Sequence, residues 1–146
     1  MKKKIILIGI VFVGVGIGIF TFTQVNNTTF EEVSADLINE DETIRRIAIE
    51  NTRAQNTGQT QNTKFETDNA DLIEKIWGDS SDMQLKRQDE IPTWDYTITI
   101  YTDIDSYEII LGENDAQIGD NHYQIISANL LKQAIEDEEI EWGNID

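Results

Sequence analysis

The sequence contains no cysteine. Disulfide bonds, thiolate nucleophiles and cysteine-ligated zinc or iron–sulfur centres are therefore excluded. The lipid-modified cysteine that attaches bacterial lipoproteins to a membrane is excluded as well. The chain also has a single histidine, His122, so it cannot form a site that needs two histidines.

Basic residues are scarce, since 11 Lys and Arg stand against 28 Asp and Glu, for a net charge of −17. Three of them are Lys2, Lys3 and Lys4, and no acid precedes Glu31. Beyond these lysines, 8 basic and 28 acidic residues leave a formal charge of −20. Such a region should bind no nucleic acid, because a phosphate backbone requires a basic surface. Basic partners or cations suit it better, and a well-solvated surface is the simplest explanation.

Long apolar runs are absent except at residues 5–22, which carry no charge and only one polar side chain, Thr21. A helix of 18 residues is about 27 Å long, close to the hydrocarbon thickness of a bilayer. The run therefore predicts a single-pass transmembrane helix. Residues 1–4 then form a cytoplasmic basic flank, and the acidic remainder lies outside the cytoplasm.

A cleaved signal peptide is the alternative interpretation of the same run. Its length and the lack of an A-x-A-like site favour an uncleaved signal-anchor, since Thr21 and Thr23 are the best small pair available. Gly14 and Gly18 form a G-x-x-x-G pair that would permit a helix-mediated dimer. Glycine is, however, frequent in membrane helices in general.

The outer part divides into two segments. Residues 23–43 are predicted to be an acidic juxtamembrane linker or a short helix, because Thr29 and Glu32 have capping-box spacing. Residues 44–146 are predicted to form one extracytoplasmic domain. It begins with strands at 44–50 and 64–66 on either side of a polar loop.

Two helices are predicted in this domain. The first has Thr67 or Asp68 as its cap and Gly78 as its end. The second has Ser127 as its cap. Their apolar faces consist of Ala70, Ile73, Ile76 and Trp77 in the first helix, and of Leu130, Leu131, Ala134 and Ile135 in the second.

The strongest strand signal runs from Trp94 to Thr102, where apolar and polar residues alternate. Shorter strands are predicted at 83–87, 107–111, 116–118 and 122–125. Because these strands are clustered rather than alternating with helices, the fold class is α+β. We expect an antiparallel meander sheet with the two helices packed on one face.

Four segments carry a resemblance to a known group of domains. They are DNADLIEKIW at 68–77, YTITIYTD at 96–103, HYQI at 122–125 and SANLLKQAI at 127–135. With the lysine-flanked anchor, the chain resembles the YhfM-like and related uncharacterised extracytoplasmic domains of Gram-positive bacteria over roughly residues 43–140. Some of these are lipoproteins, whereas this chain has no cysteine. The resemblance implies location and fold class, and it transfers no catalytic residue.

Few residues are candidates for chemistry. His122 is expected to be structural. Asp103 and Asp105 begin a D-x-D pattern like that of a calcium loop, but Tyr107 and Glu108 occupy positions that need an oxygen ligand and a glycine. A turn stabilised by aspartate is therefore expected. We predict no catalytic residue, no metal ligand and no cofactor.

The acidic cluster near the C-terminus and the last of the three tryptophans each have more than one possible role. The cluster Asp137, Glu138, Glu139 and Glu141 is expected to be a solvated tail, or else a loose site for cations or a basic partner. Trp77 and Trp94 are expected in the core. Trp142 should pack on the sheet or serve as an exposed anchor for a partner.

The sequence therefore predicts a membrane-anchored, non-enzymatic module that binds an unknown protein or envelope component. The alternative is a cell-wall hydrolase that works with carboxylates alone. A third hypothesis is a structural protein that dimerises through Gly14 and Gly18.

Overall fold

A computed structural model describes residues 27–53 and 64–137. The elements are, in chain order, β1 (Asn27–Thr29), α1 (Phe30–Leu37), β2 (Ile44–Asn51), β3 (Lys64–Thr67), α2 (Ala70–Ser80), β4 (Gln84–Gln88), β5 (Tyr96–Thr102), β6 (Ser106–Leu111), β7 (Asp115–Ile118), β8 (Asn121–Ile125) and α3 (Leu130–Asp137). These ranges contain one antiparallel sheet of eight strands and three helices, which confirms the predicted α+β class.

The strands lie in the order β1-β4-β8-β7-β6-β5-β2-β3. Strands β5 to β8 form the expected meander, and β2 pairs with β3 across the polar loop. The pairing of β4 with β8 and of β1 with β4 was not predicted. These long-range pairings extend the meander into a single wide sheet.

One face of the sheet carries the core. Ile98 lies opposite Ile49 on one side and Ile109 on the other, so that apolar side chains form rows across the strands. The three helices cover these rows with their own buried residues, which are Phe30, Val33, Ile73, Ile76, Leu131 and Ile135. Full burial of each such side chain stabilises the fold by about 1.5–3 kcal/mol.

The opposite face is polar, and we call it the polar face. Thr97 and Thr99 of β5 point to it, as do Gln117 and His122, which lie opposite each other on β7 and β8. The strand alternation that buries the isoleucines turns these residues away from the helices. None of the three described helices packs there.

The segment before β2 belongs to the packed domain. The predicted capping box is confirmed, because the hydroxyl of Thr29 accepts the backbone N–H of Glu32 at 3.2 Å and the Glu32 carboxylate accepts the N–H of Thr29 at 3.1 Å. Phe30 follows directly and is 0% exposed. From residue 27 onward this segment is thus a strand and a helix in the fold, rather than a spacer.

The ends of α2 differ from those predicted. Asn69, not Thr67 or Asp68, is the N-cap, and its side chain accepts the backbone N–H groups of Asp71 and Leu72. The helix also continues past Gly78 to Ser80. Gly78 was therefore wrongly predicted as a terminator, since the buried Ile76 and Ser80 hold the last turn against the core.

The start of α3 differs as well. Asn129 caps it, because its Oδ1 atom accepts the backbone N–H of Lys132 at 3.1 Å. Ser127, the predicted cap, instead accepts the N–H of Gln84 at 2.9 Å and so connects the end of β8 to β4. The predicted apolar face is confirmed, with Leu131 and Ile135 buried.

Trp94 was wrongly assigned to the core. Strand β5 begins at Tyr96, so the alternation does not extend to Trp94, which is 54% exposed. Its indole N–H donates to the hydroxyl of Thr97 at 2.7 Å, which places the ring by the polar face. Trp77 does pack against the core, while Trp142 lies outside the described residues.

The predicted transmembrane helix lies outside the residues that the structure describes. Residues 5–22, including Gly14 and Gly18, lie outside the described ranges, as do residues 138–141 of the acidic cluster. Among the described residues, no helix is long and apolar enough to cross a bilayer.

Candidate binding groove

A groove of about 340 Å³ separates α1 from the C-terminal half of α2. It is lined by Phe30, Glu31, Ser34, Ala35, Ile38, Glu42, Ile44, Trp77, Gly78 and Ser81. Its volume falls at the lower end of the range of roughly 300–1,000 Å³ that is typical of ligand sites. We call it the α1–α2 groove.

The half-buried ring of Trp77, which packs on the fully buried ring of Phe30, forms its apolar wall. The rings of Phe30 and Trp77 meet edge to face, with centroids 5.0 Å apart. Backbone bonds fix their relative position, because the N–H of Phe30 donates to Met83 at 2.9 Å and that of Glu31 donates to Ser81 at 3.1 Å. The start of α1 is thus fastened to the end of α2, and the groove between them is built into the fold.

Gly78 lies at the rim of this groove, inside α2. A Cβ atom added there would meet no atom within 4 Å. Its φ is not in the left-handed region, unlike that of Gly119, where φ is 58°. Because glycine inside a helix costs about 1 kcal/mol relative to alanine, and neither packing nor backbone conformation requires it, its structural effect is to leave the rim open.

The carboxylate of Glu42 stands at another part of the lining. It accepts hydrogen bonds from the hydroxyl of Thr102 at 2.6 Å, the phenol of Tyr107 at 2.7 Å and the amide of Asn39 at 2.5 Å. The bond from Thr102, followed by those from Tyr107 and Asn39, lowers the pKa of Glu42. The same contact raises the pKa of Tyr107 to about 12. Glu42 is therefore ionised and held in one position at neutral pH.

The charge of the lining has one sign. Glu31 is the other titratable residue that lines the groove, and no Lys or Arg is among the lining residues described. The arrangement offers apolar walls for an apolar group and fixed negative charge for a cation. It is poorly suited to an anionic ligand, since like charges at short range repel.

This geometry does not resemble a carboxylate acid–base pair. A glycosidase requires a carboxyl group whose pKa is raised, so that it can protonate the leaving group. The pKa of Glu42 is displaced in the opposite direction. Within the described ranges, no three His, Asp or Glu side chains are grouped so that they could hold a metal ion.

The candidate residues named from the sequence, His122, Asp103 and Asp105, are not in the lining of the α1–α2 groove. His122 is on the polar face, opposite Gln88 and Gln117. Asp103 accepts the N–H of Thr43 at 2.9 Å, and Asp105 accepts that of Ser106 at 2.8 Å. The turn is present, but of these two bonds only that of Asp105 lies within it. The hydroxyl of Thr102 accepts the N–H groups of Ile104 and Asp105, so threonine stabilises the turn more than aspartate does.

A second polar cluster joins α3 to the sheet. Lys132 forms ion pairs with Glu113 and, at 3.9 Å, with Glu136, and Glu136 also accepts the hydroxyl of Tyr96 at 3.1 Å. Burial, with the nearby charge of Glu136, raises the pKa of Tyr96 to about 12. The adjoining cavity is only about 50 Å³. The cluster is explained by its role in holding the helix in place.

Sequence reasoning missed Glu42 and the groove. Glu42 is separated by 60 residues from Thr102 and by 65 from Tyr107, so no local pattern connects them. Gly78 gave no signal of the groove, because the helical residues that follow it, Asp79 and Ser80, are polar and predict the end of a helix.

Comparisons with protein-family models, with curated proteins and with solved structures found no match to this chain. The resemblance to YhfM-like domains therefore stays a prediction.

Proposed function

We propose that this chain is a membrane-anchored extracytoplasmic module that binds another protein or an envelope component through the α1–α2 groove. It performs no chemistry of its own. The observation that carries the proposal is an apolar groove built into the fold, with an ionised carboxylate held by three donors in its lining. Side chains that are already held in place favour binding, because they lose little conformational entropy when a ligand binds.

The location is supported by the charge step along the chain. Three lysines precede residues 5–22, and a region of formal charge −20 follows them. Lysines remain on the cytoplasmic side of a membrane helix, which puts the acidic domain outside. Because the chain has no cysteine, residues 5–22 must hold it to the membrane without help from a lipidated thiol.

Anchoring is tested by the mass of the mature protein and by protease treatment of intact cells. We expect the mass of the full chain, together with digestion of the acidic domain from outside. A mature mass that begins near Thr23 would contradict the uncleaved anchor. Resistance to external protease, with digestion restored after lysis, would contradict the orientation.

Binding through the groove is tested by photocrosslinking in intact cells. A photoreactive phenylalanine analogue is placed at Ala35, which is exposed in the groove lining, and the matched control is placed at Glu108, exposed on the polar face. We expect discrete adducts from position 35 and none from position 108. Equal adducts from both positions, or none from position 35, would overturn the proposal.

The hydrolase alternative predicts release of soluble fragments from purified cell-wall glycan by the full-length protein in detergent. We expect none. Release that is abolished by the double change Glu31→Gln and Glu42→Gln, but retained in Glu108→Gln, would establish the alternative in place of the binding module.

A further inference from the structure

We infer that the α1–α2 groove binds an amphipathic peptide segment of a partner protein, one that presents apolar side chains to Trp77 and Ile38 and a Lys or Arg to Glu42. This inference rests on the proposed function and names the class of its partner. Three independent features of the groove lead to it, namely its size, the sign of its charge and the glycine at its rim.

The size of the groove fits a few apolar side chains. A cavity of about 150 Å³ is enough to hold one benzene molecule, and this groove has about 340 Å³. Two large side chains from successive turns of a helix therefore match it, which is the spacing used when an amphipathic helix lies in a groove. The remainder of such a segment would extend along α1 and α2.

The charge of the groove selects a cationic partner. Glu42 and Glu31 are both in the lining, which includes no described Lys or Arg. Three donors already orient the Glu42 carboxylate, so an incoming ammonium or guanidinium group meets a fixed anion. Fatty acids, anionic phospholipids and phosphate polymers carry the wrong charge. A second copy of this chain, at −17, would also be repelled.

A peptide bound in the groove would account for the presence of glycine at position 78. The position of this glycine inside α2 lowers helix stability, and an added Cβ would fit without contact. Alanine can therefore be introduced there with no strain on the fold, and a larger side chain at this exposed position would narrow the rim. Ala35 of α1, also exposed in the lining, is another small residue at this opening.

The test uses a phage-displayed library of random twelve-residue peptides, selected on the full-length protein in detergent micelles. We expect the selected peptides to contain Lys or Arg together with two or more large apolar residues at helical spacing. Their affinity should fall as salt rises. Selection of acidic peptides, or no enrichment at all, would overturn the inference.

Variants then locate the bound peptide. Gly78→Leu should weaken the selected peptides at least tenfold, whereas Ala70→Leu, at an exposed position of the same helix, should leave them unchanged. Gly78→Ala should retain most binding and raise the thermal unfolding midpoint. Equal affinity for the wild type and Gly78→Leu would place the peptide elsewhere and contradict the inference.

Charge variants test the role of the carboxylates. Glu31→Gln and Glu42→Gln should each weaken a lysine-containing peptide, about tenfold for the fixed Glu42, and should reduce the salt dependence. Glu108→Gln removes the same charge from the polar face and should have no effect. If all three variants bind alike, charge complementarity plays no part and the inference fails.

The outcome in cells separates this inference from the proposed function. Adducts from position 35 with a protein, combined with a library that yields no basic peptides, would keep the binding module and reject the partner class. An adduct of twice the chain mass would identify a second copy, and a mass gain of a lipid would identify a lipid; either would reject the peptide. Failure of the crosslinking itself would reject the proposed function.

Discussion

The two faces of the sheet are made by alternate residues of the same strands, yet they differ in almost every physical property. On β5, Ile98 is buried beneath the helices, while its neighbour Thr99 lies on the polar face. The helix-covered face contains most of the core, and the polar face contains mainly threonine, glutamine and charged residues, with Ala48, Tyr101 and Ile110 among them. One strand thus supplies stability through one set of residues and solubility through the other.

The difference also indicates where recognition can arise. The polar face is lined by residues that are ordinary for a solvated sheet, and its one large exposed aromatic, Trp94, is hydrogen-bonded to Thr97. The groove lies on the helical side, between α1 and the C-terminal half of α2. Trp77 therefore belongs both to the packed domain and to the proposed binding site, and the buried ring of Phe30 supports it.

The largest contrast is expected from neighbouring alanine substitutions on β5. Ile98→Ala should lower the free energy of unfolding by about 2–5 kcal/mol, because it removes buried methyl groups and leaves a cavity. Thr99→Ala should change it by roughly 0.5 kcal/mol or less, as for most surface changes. Chemical denaturation of the full-length protein in detergent measures both. Similar losses would mean that the polar face is covered in solution.

A smaller contrast is expected between two tryptophans. Trp77→Ala should cost about 2 kcal/mol, less than the roughly 3–5 kcal/mol of a fully buried tryptophan, since Trp77 is only partly buried. Trp94→Ala should cost no more than about 1 kcal/mol, the value of its one hydrogen bond. Thermal unfolding followed by circular dichroism gives the ranking, and the reverse order would refute the assignment of faces.

The third contrast depends on pH and concerns tyrosines. The bond to Glu42 raises the pKa of Tyr107 to about 12, from an ordinary value of 10.0. Its contribution to stability is therefore complete below pH 10 and is lost as pH rises from 10.0 to about 12. Relative to Tyr107→Phe, the wild type should lose stability across this interval.

Denaturant titrations at several alkaline pH values measure the effect. Tyr101→Phe, which removes a phenol from the polar face, is the matched control and should follow the wild type. A constant difference between the wild type and Tyr107→Phe over the whole interval would show that the bond to Glu42 is not present in solution.

Features set by neighbouring residues were predictable. The capping box of Thr29 and Glu32 needs only three residues of spacing, and the alternation of β5 is visible along the strand itself. Both were therefore found in the sequence, as was the clustering of strands that defines the α+β class.

Features that depend on distant contacts were not predictable. The N-caps of α2 and α3 were misplaced because several suitable residues adjoin each helix start. The packing of the helices makes Asn69 and Asn129 the caps, rather than Asp68 and Ser127. The pairing of β1 with β4 and the bonds to Glu42 join segments far apart in the chain. The groove exists only once those segments have met.

The edge strand β1 has a mechanical consequence. Any force transmitted through residues 1–26 enters the fold at Asn27, on a strand of three residues that is paired only with β4. Such a strand can be peeled away one residue pair at a time, but the next residue, Phe30, is wholly buried. Once β1 has been peeled away, such a force would thus be resisted by the burial of that ring, which also supports Trp77 in the groove.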